Sequence, residues 1–162
     1  MKTLMVLMGV FLLVGAVLAR PPDRNWTMDF SAAEKKAAAE KKPMFVLFTG
    51  SDWCTFCMQL DKKVLGKSAF RNYAKEKLIL VYVDFPRRKL AAEQTAANRA
   101  LAGKFKVSGY PTAILLDSAG KEVARFRGFG GDGAAYLRDL QTAVDRLAAA
   151  PPEKKDEKKA EQ

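Results

Sequence analysis

The chain has no histidine and only two cysteines in 162 residues. The missing imidazole excludes Ser-His and Cys-His nucleophile pairs, an imidazole general base and histidine metal ligation. Proton transfer is left to cysteine, carboxylates, lysine, tyrosine or water. Two cysteines without histidine are too few for a structural zinc site, which takes four protein ligands, so no metal is expected. A c-type haem attachment needs His directly after the second Cys, where Met58 stands. No internal repeat is visible. The 49% hydrophobic and 28% charged content that remains fits one globular domain of ordinary size.

The N-terminus is an address. Lys2 supplies a positive start, Leu4 to Ala19 is uninterruptedly apolar, and Val17-Leu18-Ala19 offers a small-residue cleavage site before Arg20-Pro21-Pro22. Residues 1–19 are expected to be a signal peptide, with an uncleaved membrane anchor as the rival, since the run falls just short of a bilayer span. Either reading puts the domain in the periplasm or outside the cell, where thiols can be held oxidised. Residues 20–28 then form a linker and 29–149 the domain. Residues 150–162 form a charged tail whose lysines and acids cancel and which lacks any large apolar side chain, so disorder is expected.

Of the formal charge of +10, all but the single charge of Lys2 in the leader therefore lies between leader and tail, in pairs and triplets such as Lys35-Lys36, Lys41-Lys42, Lys62-Lys63 and Arg87-Arg88-Lys89. Such runs on Ala- and Glu-rich helices read as solvated faces, so no nucleic-acid partner is expected. An acidic partner or an anionic membrane surface stays open.

Met44 to Thr49 and Leu78 to Val83 are continuous apolar runs of strand length, as in central strands buried on both faces. Ala113 to Leu116 is a shorter strand, and Val123 to Arg127 mixes in arginine as an edge strand does. Asp117-Ser118-Ala119-Gly120 between them is hairpin chemistry. Helices are expected over Ala32 to Lys42, Cys54 to about Gly66, Ala69 to Lys75, Ala91 to about Phe105, and Gly133 to Ala148. The order predicts an α/β fold with a mixed central sheet of four to five strands. It should run parallel where helices cross over and antiparallel at the final hairpin, with helices on both faces.

The two cysteines stand three residues apart in Trp53-Cys54-Thr55-Phe56-Cys57, at a strand-to-helix junction. On a helix this spacing puts both on one face, with Cα atoms roughly 5 to 6 Å apart, inside the range a disulfide requires. So small a loop restricts the unfolded chain little, which argues against a stabilising role. Cys54 sits where free N–H groups and the helix dipole favour an anion, so its thiol should be acidified and nucleophilic. Cys57, one turn on and in phase with Leu60 and Val64, should be more buried and act as the resolving thiol.

These residues, together with Gly109-Tyr110-Pro111-Thr112 before the third strand, resemble the thioredoxin-like family over roughly residues 29–149. Gly50-Ser51-Asp52 and the long stretch from Asp84 to Phe105 are more similar to its exported bacterial members. The resemblance implies a thioredoxin-like fold and thiol-disulfide oxidoreductase activity with Cys54 and Cys57 catalytic and no cofactor. It implies that Pro111 is the family's cis-proline, and that Tyr110 and Trp53 shape the substrate surface. Protein disulfides or dithiols are the implied substrates, a membrane protein the implied electron donor, and a monomer the expected state.

This sequence departs from the family in three places. The buried acid often found six positions before the first Cys is replaced by Phe48, and the usual lysine of the next central strand is missing from the apolar run Leu78 to Val83. Asp52 is then the nearest carboxylate, expected either to accept a proton through water or to cap the helix beside Ser51. The intervening pair Thr55-Phe56 matches no well-known version of the motif, so the redox direction stays open. Reduction of protein disulfides is the preferred reading. Disulfide formation or isomerisation is one alternative; a non-enzymatic basic binding module with a resting disulfide is another.

Overall fold

The computed structural model describes residues 23–149. The expected leader at 1–19 and the tail at 150–162 lie outside the described residues. In chain order the elements are β1 (Trp26–Thr27), α1 (Phe30–Glu40), β2 (Met44–Thr49), α2 (Thr55–Leu60) continuing into a π-helical turn (Asp61–Leu65), α3 (Ser68–Lys77), β3 (Ile79–Asp84), α4 (Ala92–Lys104), β4 (Thr112–Leu116), β5 (Glu122–Arg127) and α5 (Gly133–Ala149). Helix α1 starts where Asp29 accepts the Ala32 N–H at 2.9 Å, and stops at Lys41, which turns left-handed (φ 52°) ahead of Pro43. The six residues after that proline, five apolar and then Thr49, form the central strand.

The five strands are ordered β1-β3-β2-β4-β5. Strands β2 and β3 are parallel, with Met44 opposite Ile79 and Thr49 opposite Asp84. Strand β4 pairs antiparallel with β2, and β5 closes the edge antiparallel to β4. The expectation that helix-joined strands run parallel holds for β2 and β3 but fails for β4. Although α4 intervenes, Thr112 pairs opposite Phe48, so the chain enters β4 at the C-terminal end of β2 and runs back against it.

A second correction concerns residues 20–28, expected to be a linker. Trp26–Thr27 pairs parallel with Leu80–Val81 as the outer strand beside β3. The indole is 5% exposed and packs on Phe45, Phe70 and Tyr82 with ring centroids 5.8–6.2 Å apart. Two residues carry no periodicity, so this strand leaves no trace in the hydrophobic pattern.

Alternation along the strands divides the core. Phe45, Leu47, Leu80 and Tyr82 face α2, α3 and α5 through Leu60, Phe70, Leu140 and Val144. Met44, Val46, Phe48, Val81 and Val83 face α1 and the end of α4 through Ala33, Ala37 and Phe105. Both faces of β2 and β3 are covered, which is why their sequences are continuously apolar. The parallel strands end side by side at Thr49 and Asp84, and the chain leaving β2 there carries the cysteines. Among the described residues no helix is long and apolar enough to cross a membrane.

Candidate active site

Cys54 is the N-cap of α2, in extended conformation, and its Sγ accepts the Cys57 N–H at 3.2 Å. The capping atom is thus the cysteine sulfur itself, placed where the first turn's unpaired amides favour negative charge. Cys54 and Cys57 are joined in a disulfide with Cα atoms 5.2 Å apart. Both are buried, at 6% and 4% exposure, so the expected contrast between an open nucleophile and a covered partner is slight in this oxidised state.

The turn before Cys54 is held from beneath. Cys54 N–H bonds Gly50 O at 2.9 Å, and Ser51 gives its N–H and Oγ–H to the two oxygens of Asp84 at 2.9 and 2.6 Å. Asp84 is fully buried; the guanidinium of Arg88 lies 3.8 Å away, and the Asp84 carbonyl accepts from the buried Asn98 amide at 2.7 Å. A buried carboxylate needs such partners, and here they fix the active-site turn to the end of β3.

Around the sulfurs lies an aromatic surface. The Trp53 indole donates to Phe85 O at 2.7 Å, its ring meets Tyr110 edge-on at 5.9 Å, and Tyr110 packs on Phe85 at 5.1 Å. Tyr110 precedes Pro111 through a cis peptide bond, and Pro111 itself is buried. Burial pushes the Tyr110 phenol up, so it stays neutral. Trp53 is 38% exposed, and Phe56 and Met58 next to the cysteines are exposed as well. The structure thus brings Trp53, Tyr110 and Pro111 onto one side of the Cys54 turn.

Asp52 is not brought there. Its carboxylate accepts the N–H groups of Arg87 and Arg88 at 2.9 and 3.3 Å. Those bonds hold its pKa below the usual carboxylate range. It caps a turn of the loop after β3 and not helix α2, whose cap is Cys54; the helix-capping expectation is corrected accordingly. As a proton acceptor it is a poor choice, since a low pKa weakens the base.

The carboxylate that shares a cavity with Cys57 is Asp61. Cys57, Asp61, Ser51, Thr49 and Tyr82 line a pocket of about 100 Å³ behind the disulfide. Asp61 is four residues after Cys57 on the same helical face. The residue reaches the surface, yet desolvation of its carboxyl, reinforced by the Asp23 charge, raises its pKa. Desolvation and the charges of Asp84 and Asp61 likewise push the Tyr82 phenol up. The sequence reading overlooked Asp61, Asp84, Phe85 and Asn98. Only the i+4 spacing of Asp61 from Cys57 was a legible signal.

The sequence model of the thioredoxin-like domain family matches residues 30–141. A disulfide bond reductase, DsbH, of Chlamydia pneumoniae is 34% identical over 116 residues, covering 71% of this chain and 70% of that protein. The thioredoxin-related protein DsbJ of the same organism is 32% identical over 115 residues, covering 70% of this chain but 33% of DsbJ. A solved DsbH oxidoreductase superposes with a TM-score of 0.69 at 30% identity, covering 88% of this chain and 95% of that one.

Proposed function

The chain belongs to the thioredoxin-like domain family and is a thiol-disulfide oxidoreductase; from that premise we propose that it works outside the cytosol as a reductase of protein disulfides. The observation that carries the reading is the Cys54–Cys57 pair at the head of α2, in a chain similar to a disulfide bond reductase over most of both lengths. Export is supported by the leader-like residues 1–19. Intact mass of the mature chain should start at Arg20; retention of Met1 would favour the anchor.

The working form is the dithiol. The Cys54 thiolate attacks one sulfur of a client disulfide, making a mixed disulfide and releasing the client's other sulfur as a thiolate. Cys57 loses its proton and attacks Cys54, the second client sulfur leaves, and the enzyme is left oxidised as the Cys54–Cys57 disulfide. A dithiol protein must then return two electrons, and a membrane donor fits an exported enzyme. Asp61, the carboxylate lining Cys57's cavity, takes the Cys57 proton, water in the cavity bridging the two. Trp53, Tyr110 and cis-Pro111 form the platform on which the client chain lies.

The test is the reduction potential of the couple, found by equilibration in thiol buffers and counting of alkylated cysteines by mass. A value near or below about −230 mV is expected. One between about −120 and −180 mV would make the protein a disulfide donor or isomerase. In parallel, Cys54→Ser should abolish insulin reduction and Cys57→Ser should accumulate the mixed disulfide. Activity in Cys54→Ser would overturn Cys54 as the nucleophile, whereas no insulin reduction by the wild-type chain would return the balance to a non-enzymatic binding module.

A further inference from the structure

Arg87-Arg88-Lys89 passes in the sequence for one more solvated basic run, but the structure fastens it beside the catalytic turn. Phe85 N–H donates to Thr49 O at 2.8 Å, the Trp53 indole to Phe85 O at 2.7 Å, and the N–H groups of Arg87 and Arg88 to Asp52 at 2.9 and 3.3 Å. These four bonds join the backbone of residues 85–88 to residues 49–53. The loop backbone is therefore held at a fixed place next to Trp53, and Arg87, Arg88 and Lys89 are all exposed on it.

Their charges are not consumed at home. Arg88 lies 3.8 Å from the buried Asp84, while Arg87 and Lys89 form no ion pair among the described residues. The loop borders a groove of about 510 Å³ whose wall includes Phe85, Pro86, Arg88, Lys89, Asn98 and Arg99. Its single carboxylate, Asp84, is fully buried and already bonded to Ser51. The groove is thus lined by cations and apolar side chains, and it begins at Phe85, where the Trp53–Tyr110–Phe85 surface ends.

We propose that this basic loop and groove select client disulfides flanked by acidic side chains, the cysteine lying at Cys54 and the neighbouring carboxylates meeting Arg87, Lys89 and Arg99. The proposal rests on the oxidoreductase reading and names the substrate class for that site. Asp52 acts as a positioning residue, holding the backbone of Arg87 and Arg88 beside Trp53, with Arg88 and Lys89 in the groove wall and Arg87 exposed next to it. Exposed charges attract over a distance set by salt, so the selectivity is an encounter effect that ionic strength removes.

The experiment compares two disulfide-bonded model peptides identical except for Glu or Gln beside the cysteines, with 2-hydroxyethyl disulfide as an uncharged control. The wild-type chain should reduce the Glu peptide faster by on the order of five- to tenfold at low ionic strength. The two rates should converge at about 1 M salt, where screening acts within about 3 Å. The doubly reversed variant Arg87→Glu, Lys89→Glu should lose or invert the preference while reducing the uncharged disulfide at the wild-type rate. Equal rates on the two peptides in wild type, or a preference surviving the double reversal, overturns the proposal. No turnover on the uncharged disulfide or on either peptide overturns the oxidoreductase reading and this inference with it, so the control tells the two failures apart.

Discussion

Gly50 has no room for a side chain. A Cβ there would lie 2.5 Å from Trp53 Cε2 and 2.7 Å from its Nε1, so any larger residue must push the indole off the Phe85 carbonyl. Gly50→Ala should destabilise by about 1–3 kcal/mol, as overpacking does, visible in the denaturant midpoint. On the proposed role of Trp53 in the client platform, the substitution should also lower kcat/KM on protein disulfides more than on a small disulfide. Asp61 makes the complementary case. Asp61→Asn should slow resolution of the mixed disulfide by on the order of 10²-fold near neutral pH, with the first attack by Cys54 unchanged. In wild type that step should weaken as pH falls through the raised Asp61 pKa; in the Asn variant the inflection should vanish, and its persistence would remove Asp61 from the mechanism. The stability sign runs the other way. A carboxyl whose folded pKa lies above its unfolded value destabilises the fold once ionised, so stability is lost as pH rises from the ordinary carboxylate value through the raised one. Asn should melt no lower than wild type at neutral pH.

At the scale of elements, what could be read in the chain follows from how much pattern an element needs. Strands β2, β3 and β4 are buried on both faces, so unbroken apolar runs reveal them, and Pro43 marks where helix gives way to strand. Spacing alone revealed the cysteine pair, because a disulfide and a helical turn share one geometry. Strand β1 could not be seen, since its two residues take their identity from Leu80 and Val81 across the sheet. Asp84 and Asn98 were equally hidden: a carboxylate closing an apolar run looks like the start of a loop until Ser51, Arg88 and α4 arrive to bury it. Burial in these cases is a property of the assembled contacts. Trp26→Ala should therefore cost about 3–5 kcal/mol in chemical denaturation, the range for an excised core aromatic, although it lies in a stretch that reads as linker. Trp26→Phe should recover much of that loss, because the indole N–H has no hydrogen-bond partner among the described residues to forfeit. A Trp26→Ala variant as stable as wild type would show that β1 contributes no core.

On the scale of the whole molecule, the redox couple and the fold are two sides of one thermodynamic cycle. Closing a disulfide between Cys54 and Cys57 confines a loop too short to change the entropy of the unfolded chain by much. Beyond that small loop contribution, a difference in stability between oxidised and reduced protein comes from the folded state, from how well the first turn of α2 and the Asp84 network accommodate a disulfide against a thiolate and a thiol. The cycle requires that for every 30 mV by which the folded couple lies below the unfolded one, the oxidised fold is the more stable by about 1.4 kcal/mol. A disulfide donor shows the reverse, its reduced form being the stabilised one. For a reductase the expected outcome is that the oxidised domain unfolds at a higher denaturant concentration than the dithiol domain, with equal slopes, since the two expose the same surface. Far-UV circular dichroism, which does not depend on Trp53 beside the couple, reports global unfolding in both states. If reduction raises the midpoint, the Cys54 thiolate is the species that the helix start and its Cys57 N–H favour most. The protein would then drive disulfides into its clients, whatever its similarity to a reductase.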